Sequence, residues 1–307
     1  MQIVVNASGG LGSQLFQYAA GRCLAKRHGA ALRIAHPASQ KAQAHAGSAD
    51  MLSRQFTVAA PVRSASYIDR LVVTEQPQLQ PLARVMRKAF NIQVLSQPPE
   101  RCHLHQELRV RPGADSVYLQ GCWQDYSLVR EVDSDLRREL SPVKPLGGRS
   151  LALAQRIAAA RIPVSLHLRR GHVARLSRAQ VLPLAYYEHA ISHMLNQDRQ
   201  CTFFVFADDV AFARDWLRGD PRFLVVSHDA VGSAHEDLRL MSLCRHHIIA
   251  DSAFSWWGAW LNPYCDKQVI APVRWLGYDT ASSAIACPEW TLLDASLPRR
   301  LMPMAAA

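Results

Sequence analysis

The chain has 307 residues, 49% hydrophobic and 20% charged, a mixture ordinary for a globular protein, so disorder is not the default for any long stretch. Its formal net charge is +10 and its pI about 9.6, which favours polyanionic partners such as nucleic acid, acidic membrane faces or nucleotide phosphates. The basic residues come as pairs, Arg137-Arg138, Arg169-Arg170 and Arg299-Arg300, without a dense block or a nucleic-acid recognition motif.

The seven cysteines are odd in number, widely spaced and free of CxxC. That pattern argues against a disulfide framework and a zinc knuckle, and fits a reducing cytoplasm. The opening Met1 to Asn6 lacks a basic region followed by a long apolar stretch, so it does not read as a signal peptide. No run reaches the roughly 18 apolar residues that span a bilayer. The expectation is a cytoplasmic protein with at most peripheral contact at the inner face of the membrane.

In chain order, Gln2 to Asn6 reads as a buried strand. It enters the turn Ser8-Gly9-Gly10-Leu11-Gly12, after which Ser13 is placed to cap a helix running to about His28. Gly29 stops that helix, and Ala31 to Ala35 forms a second strand. The stretch from Pro37 to Pro112 is polar and shows no strong period. Val117 to Gln120 is a strand, and Asp133 to Leu140 a helix. The breaker-rich segment Pro142 to Gly148 is the domain linker.

Beyond the linker, helices and strands alternate cleanly. Strands at Val164 to Leu168, Thr202 to Phe206, Phe223 to Val226, His247 to Ala250 and Gln268 to Ala271 follow helices at Leu151 to Ala160, Leu184 to Leu195, Val210 to Leu217, Ala234 to Cys244 and Phe254 to Leu261. Such alternation specifies α/β architecture with parallel sheets. The chain divides into Rossmann-like domains over 1–145 and 146–307, facing each other across a cleft. Ligands of such sheets bind beyond the carboxyl ends of the strands.

Five segments carry chemistry. The loop Gly9 to Gln14, with Gly10, Gly12 and Gln14, can bring backbone N–H groups to a phosphate or a sugar, or simply form a tight turn. His167-Leu168-Arg169-Arg170-Gly171-His172 leaves a strand end. There one guanidinium can fork onto a diphosphate while the other supports the fold. Asp208 and Asp209 close an apolar strand and suit a guanine edge, a metal or a helix cap. Glu236 and Asp237 open a helix, where the dipole favours acids. Asp251 to Asn262 joins a strand end to a helix N-terminus bearing Ser252, Phe254 and Ser255, a ready anion site. Trp256, Trp257 and Trp260 read as core.

Taken together and in order, these motifs resemble the α-1,2-fucosyltransferases of glycosyltransferase family 11. Gly9 to Tyr18 resembles the family's Gly-Gly-Leu-Gly-Asn-Gln-Leu-Phe-Gln-Tyr signature. His167 to Arg170 resembles its His-x-Arg-Arg-x-Asp motif, and Asp208-Asp209 and Ser252 to Trp257 resemble the remaining two. Ser13 replaces the usual Asn, His172 the usual Asp, and Asp251 and Ala253 the outer residues of Asn-Ser-Ser.

The resemblance implies a GT-B fold, with acceptor contacts in 1–145 and GDP-sugar binding in 146–307. It implies an inverting, metal-independent transfer of L-fucose from GDP-fucose to a glycan hydroxyl, O2 of galactose first among them. No cofactor is expected, and the acceptor class includes lipid-linked glycans. Arg170, with Arg169, would neutralise the departing phosphate, and His172 would take the place of the motif's Asp. Gly10, Gly12, Gln14, His167, Asp208, Asp209, Glu236, Ser252, Phe254 and Ser255 would hold the donor. The alternatives are transfer of another GDP-hexose and a homologue that binds the donor without turnover.

Overall fold

A computed structural model of the chain describes residues 1–36, 51–97, 108–170, 181–226, 234–275 and 285–294. The chain separates into two compact units, Met1–Pro145 and Leu146–Ala307.

The first unit is built on a parallel sheet. Strand β1 (Gln2–Asn6) leads to helix α1 (Leu11–His28) and β2 (Ala31–His36). Helix α1 approaches β1 so closely that a methyl group on Gly21 would collide with Val5. It starts two residues before Ser13. Its N-cap is Gly10, which makes no side-chain cap, while the Gly10 carbonyl accepts from Gln14 N at 3.1 Å. The expected capping by Ser13 is therefore replaced by a bare glycine turn. At the other end Gly29 stands at φ +57° and its N–H returns to the last carbonyls, the ending glycine permits.

The region without a readable period holds regular structure. Helix α2 (Met51–Gln55), strand β3 (Val62–Ser64), helix α3 (Tyr67–Val72), a 3-10 turn at Pro77–Leu79, helix α4 (Gln80–Ala89) and strand β4 (Ile92–Ser96) precede β5 (Ser116–Gln120). Helices α5 (Tyr126–Glu131) and α6 (Asp133–Glu139) complete the unit. Strand order is β3-β2-β1-β5-β4, all pairs parallel. A capping box between Ser66 and Asp69 starts α3. The same Asp69 carboxylate accepts from Arg33 and from the Tyr118 hydroxyl, which ties α3 to β2 and β5.

In the second unit, α7 (Gly148–Ala159), β6 (Ile162–Leu168), α8 (Leu184–Gln197), β7 (Cys201–Ala207), α9 (Val210–Trp216) and β8 (Phe223–Val226) alternate. They are followed by α10 (Ala234–Leu243), β9 (His246–Ile248), α11 (Ala253–Leu261), β10 (Val269–Pro272) and β11 (Thr291–Leu293). The sheet order is β11-β10-β9-β6-β7-β8, again parallel throughout. Period two explains the two cores: Phe203 and Val205 pack with α8 on one face, while Phe204 and Phe206 pack with α7 and α10 on the other. Both faces are covered, as parallel sheets require. Trp256, Trp257 and Trp260 are buried as expected.

Cys23, Cys201, Cys244, Cys265 and Cys287 are free thiols. Cys122 is disulfide-bonded, so the chain carries a cross-link that its cysteine spacing did not suggest. Among the described residues no helix is long and apolar enough to cross a membrane.

Candidate active site

In the second unit the chain runs from β6 to β7 and β8 on one side, then returns to β9, β10 and β11 on the other. Beyond the carboxyl ends of β6 and β9 the connections therefore diverge, and this reversal is where open α/β sheets receive ligands. Strand β6 ends at Leu168, so Arg169 and Arg170 leave it at that point. Adjacent residues point apart, and the two guanidinium groups take different anchors. Arg169 Nη1 donates to the Asp251 carbonyl at 3.2 Å, on the connection between β9 and α11. Arg170 Nη1 donates to the Leu182 carbonyl at 3.1 Å, and its guanidinium lies 5.0 Å from the centre of the Phe212 ring. Among the described residues neither guanidinium is paired with a carboxylate, so both charges stay uncompensated.

Asp208 and Asp209 follow β7. Asp208 Oδ1 accepts from the backbone N of Arg170 at 2.7 Å. Asp209 caps α9, its Oδ1 accepting from Phe212 N at 2.9 Å. Each acid thus spends at least one oxygen on the frame. Asp209 satisfies the capping alternative left open by the sequence.

Helix α11 brings its N-terminus to the same end of the sheet. Ser252 is its N-cap, accepting from Phe254 N at 3.3 Å. The buried Ser255 hydroxyl donates to the Ser252 carbonyl at 3.3 Å. The Phe254 ring stands 5.9 Å from the His167 ring, centre to centre. His167 is buried, and burial first and the Arg169 charge second push its pKa down to about 3. The imidazole is therefore neutral at physiological pH, and its Nδ1 has no hydrogen-bond partner. Beneath the site, Tyr186 donates to the Ile249 carbonyl at 2.7 Å, tying α8 to the end of β9.

Arg169, Arg170, His167, Asp208, Asp209, Ser252, Phe254 and Ser255 are thus joined by direct contacts, or by adjacency along the chain, around one end of one sheet. Glu236 is engaged elsewhere, its Oε2 accepting from Ser150 Oγ of α7 at 2.9 Å. His172 lies outside the described residues. Among the described residues no cluster of three or more His, Cys, Asp or Glu is placed to hold a metal.

Gly10, Gly12 and Gln14 belong to the first unit, where the chain reverses between β1 and β5. Gly9 stands at φ +75°. The buried Gln14 donates through Nε2 to the Gly9 carbonyl at 3.0 Å, while its Oε1 has no partner. Sequence reasoning missed the clamp beside it. Gln17 Oε1 accepts from Ser8 N at 2.9 Å, and Gln17 Nε2 donates to the Gly121 carbonyl at 2.9 Å. That clamp joins the loop after β1 to the loop after β5. A glutamine inside the otherwise apolar run Leu15–Ala20 is the one local signal for it, because its partners are backbone atoms, one of them 104 residues away.

Comparison with known proteins follows the same lines. Residues 103–294 match glycosyl transferase family 11. The O-antigen biosynthesis glycosyltransferase WbnK of Escherichia coli is 38% identical over 122 residues, 38% of this chain and 40% of WbnK. The match therefore spans less than half of that relative's length. The alpha-1,2-colitosyltransferase of Escherichia coli is 28% identical over 307 residues, 95% of this chain and 99% of that protein. Among solved structures, the fucosyltransferase NodZ from Bradyrhizobium superposes with a TM-score of 0.53 at 17% identity, over 85% of this chain and 93% of that one. At that identity the likeness is one of fold, and the fold is GT-B, with two parallel α/β units. The match over residues 103–294 covers more than half of the sequence, and the chain belongs to glycosyltransferase family 11.

Proposed function

We propose that the protein transfers L-fucose from GDP-fucose to a glycan hydroxyl, O2 of galactose first among candidates, with inversion and without a metal. The observation that carries this reading is the near full-length similarity to an alpha-1,2-colitosyltransferase. It is supported by two uncompensated guanidinium groups beside a serine-capped helix N-terminus. Cleavage of the anomeric bond leaves extra negative charge on GDP. Fixed arginines and helix N–H groups stabilise such charge without reorganising. In this reading Arg170, aided by Arg169, neutralises the leaving diphosphate, Ser252, Phe254 and Ser255 close around it, and Asp208 or Asp209 meets guanine. Leu146–Ala307 binds the donor and Met1–Pro145 the acceptor, a lipid-linked glycan being one candidate. His172 serves as donor contact or acid–base group. Full activity with an unchanged pH profile in His172→Asn would remove that role.

A second donor has its own support in the name of the colitosyltransferase. Colitose is fucose without the 3-hydroxyl, so the two sugars differ by one hydrogen-bonding group. The deciding experiment is transfer to galactose-terminated oligosaccharides with GDP-fucose, GDP-colitose, GDP-mannose or UDP-galactose, with and without EDTA. The linkage is then read by NMR. Fucosyl transfer to O2 that survives EDTA is the expected result. Preference for GDP-colitose replaces the donor, and loss of activity in EDTA refutes the metal-free mechanism. Binding of GDP-sugars without any transfer leaves a non-catalytic homologue.

A further inference from the structure

Helix α4 has a surface that its own fold does not use. Ala83 is its one fully buried side chain. Leu82, Val85 and the capping Phe90 are 45%, 63% and 53% exposed, and on neighbouring α3 Tyr67 and Ile68 are 66% and 44% exposed. The two helices pack together, and the Arg87 guanidinium locks them by donating to the Val72 carbonyl at 2.7 Å. Five large apolar side chains on one pair of short helices is more than scattered surface hydrophobicity supplies.

The charge on helix α4 has one sign, the exposed Glu75 ahead of it accepting from Gln120 Nε2 at 3.0 Å. From Gln76 to Gln97 the chain carries Arg84, Arg87 and Lys88 and no acid. Asp69 of α3 is buried against Arg33, whereas Arg70 is exposed. Among the described residues Arg84 and Lys88 form no ion pair. Burial, and then the neighbouring charge of Arg84, lower the pKa of Arg87, as expected where cations crowd without counterions. At helical spacing Leu82, Val85 and Ala89 make one stripe, and Arg84 and Lys88 make the stripe beside it. An apolar stripe flanked by cations is the pattern of a helix lying in a membrane interface, with its cations level with the headgroups.

We propose that α4, with α3, is a docking surface that seats the Met1–Pro145 unit on a bilayer bearing anionic headgroups. The inference is independent of the donor and acceptor, because docking is measured without either. Full-length protein is sedimented with phosphatidylcholine vesicles, with and without phosphatidylglycerol. The expected result is partitioning onto the anionic vesicles alone, weakening as salt shortens the screening length. Each cation near such a surface contributes about 5-fold in partitioning, so Arg84→Gln with Lys88→Gln weakens binding on the order of 25-fold. Leu82→Ser with Val85→Ser also weakens it, while keeping its salt dependence. All four side chains are exposed, and circular-dichroism melting verifies that each variant folds. Equal binding to both vesicle types, no binding, or wild-type binding by both variants overturns the proposal. A dimer in sedimentation velocity that Leu82→Ser with Val85→Ser dissociates, without vesicle binding, assigns the surface instead to a second copy of the chain.

Discussion

Gly121 follows β5 at the sheet reversal of the first unit, and replacing it with alanine tests how tightly that loop is built. Its φ is +147°, and an added Cβ would lie 2.6 Å from Gln97 Cβ, 3.0 Å from Gln97 O and 3.1 Å from Gln97 N. Ordinary carbon–carbon contact is about 3.5–4.0 Å, so a gap of about 1 Å must open. Gln97 has little room to yield, because its N donates to the Gln120 carbonyl at 2.8 Å and its Oε1 accepts from Trp123 N at 2.7 Å. Backbone strain costs about 1–3 kcal/mol and overpacking about 1–3 kcal/mol more, giving roughly 2–6 kcal/mol. Gly113→Ala is the control: φ is +77° there, but nothing lies within 4 Å, leaving the strain alone. Urea unfolding followed by circular dichroism measures both. With m of about 1–3 kcal/mol per molar, the extra overpacking separates the two midpoints by roughly 1 M. Trp123 is the single tryptophan of the first unit among seven in the chain, so total fluorescence chiefly follows the second unit and shifts less than ellipticity. Equal midpoints for the two variants would refute the close contact and, with it, the rigid clamp of Gln17 on the Gly121 carbonyl.

Three further outcomes are expected. Arg170→Ala lowers kcat on the order of 10²–10³, the loss typical of a removed charge-stabilising donor, with little change in melting temperature; wild-type turnover would move the role to Arg169. Gly258→Ala drives a methyl group to 2.9 Å from Met241 Cβ and 3.0 Å from its sulfur, costing about 1–3 kcal/mol in urea unfolding, and Met241→Ala in the same chain recovers part of that loss. His247 is buried against Asn262, and burial first and the Lys267 charge second push its pKa down to about 3. The unfolded state then binds the extra proton as pH falls from about 6.5, so stability contributed above that pH is lost progressively towards pH 3. The expected slope is about 1.4 kcal/mol per pH unit for this group, and a His247→Gln variant with an undiminished slope would contradict it.

The second unit was readable because its strands are buried on both faces and its helices separate them at regular intervals. Each of the five strands read there differs from its observed range by no more than two residues at either end. β11 escaped notice because three residues carry no period. The first unit hid its edges for physical reasons. β3 has three residues at the sheet margin, β4 is mostly half-buried at the other margin, and α4 turns its apolar residues outward, so neither period marks a core. Ser13 misled because the turn before α1 is made by glycines, and a serine three residues past the N-cap looks like a cap itself. At the site, Arg169, Arg170 and the Asp208-Asp209 pair were legible as strand-end residues. Their anchors were not, because Asp251 O, Leu182 O and Arg170 N are backbone atoms available at any residue.

Those backbone anchors decide the electrostatics. A guanidinium held by a carboxylate is neutralised and attracts a phosphate weakly, whereas one held by a carbonyl and an aromatic face is oriented with its charge intact. Arg170 is of the second kind, Arg169 is held by the Asp251 carbonyl alone among the described residues, and the nearby Asp208 takes the Arg170 backbone N–H through Oδ1. If Asp208 only fixes the strand end, Asp208→Asn keeps the bond, since an amide oxygen accepts it equally well. Diphosphate affinity then stays within about 2-fold in calorimetric titration with GDP, or rises slightly as a negative charge leaves. If the carboxylate itself meets the guanine edge, the same substitution weakens GDP by about 1.5–3 kcal/mol, the worth of a hydrogen bond to a charged group, while inorganic diphosphate binding is unchanged. The ratio of the two affinities therefore separates a positioning acid from a base-reading one. A parallel fall in both would show that neither holds and that Asp208 supports the arginine side chains themselves.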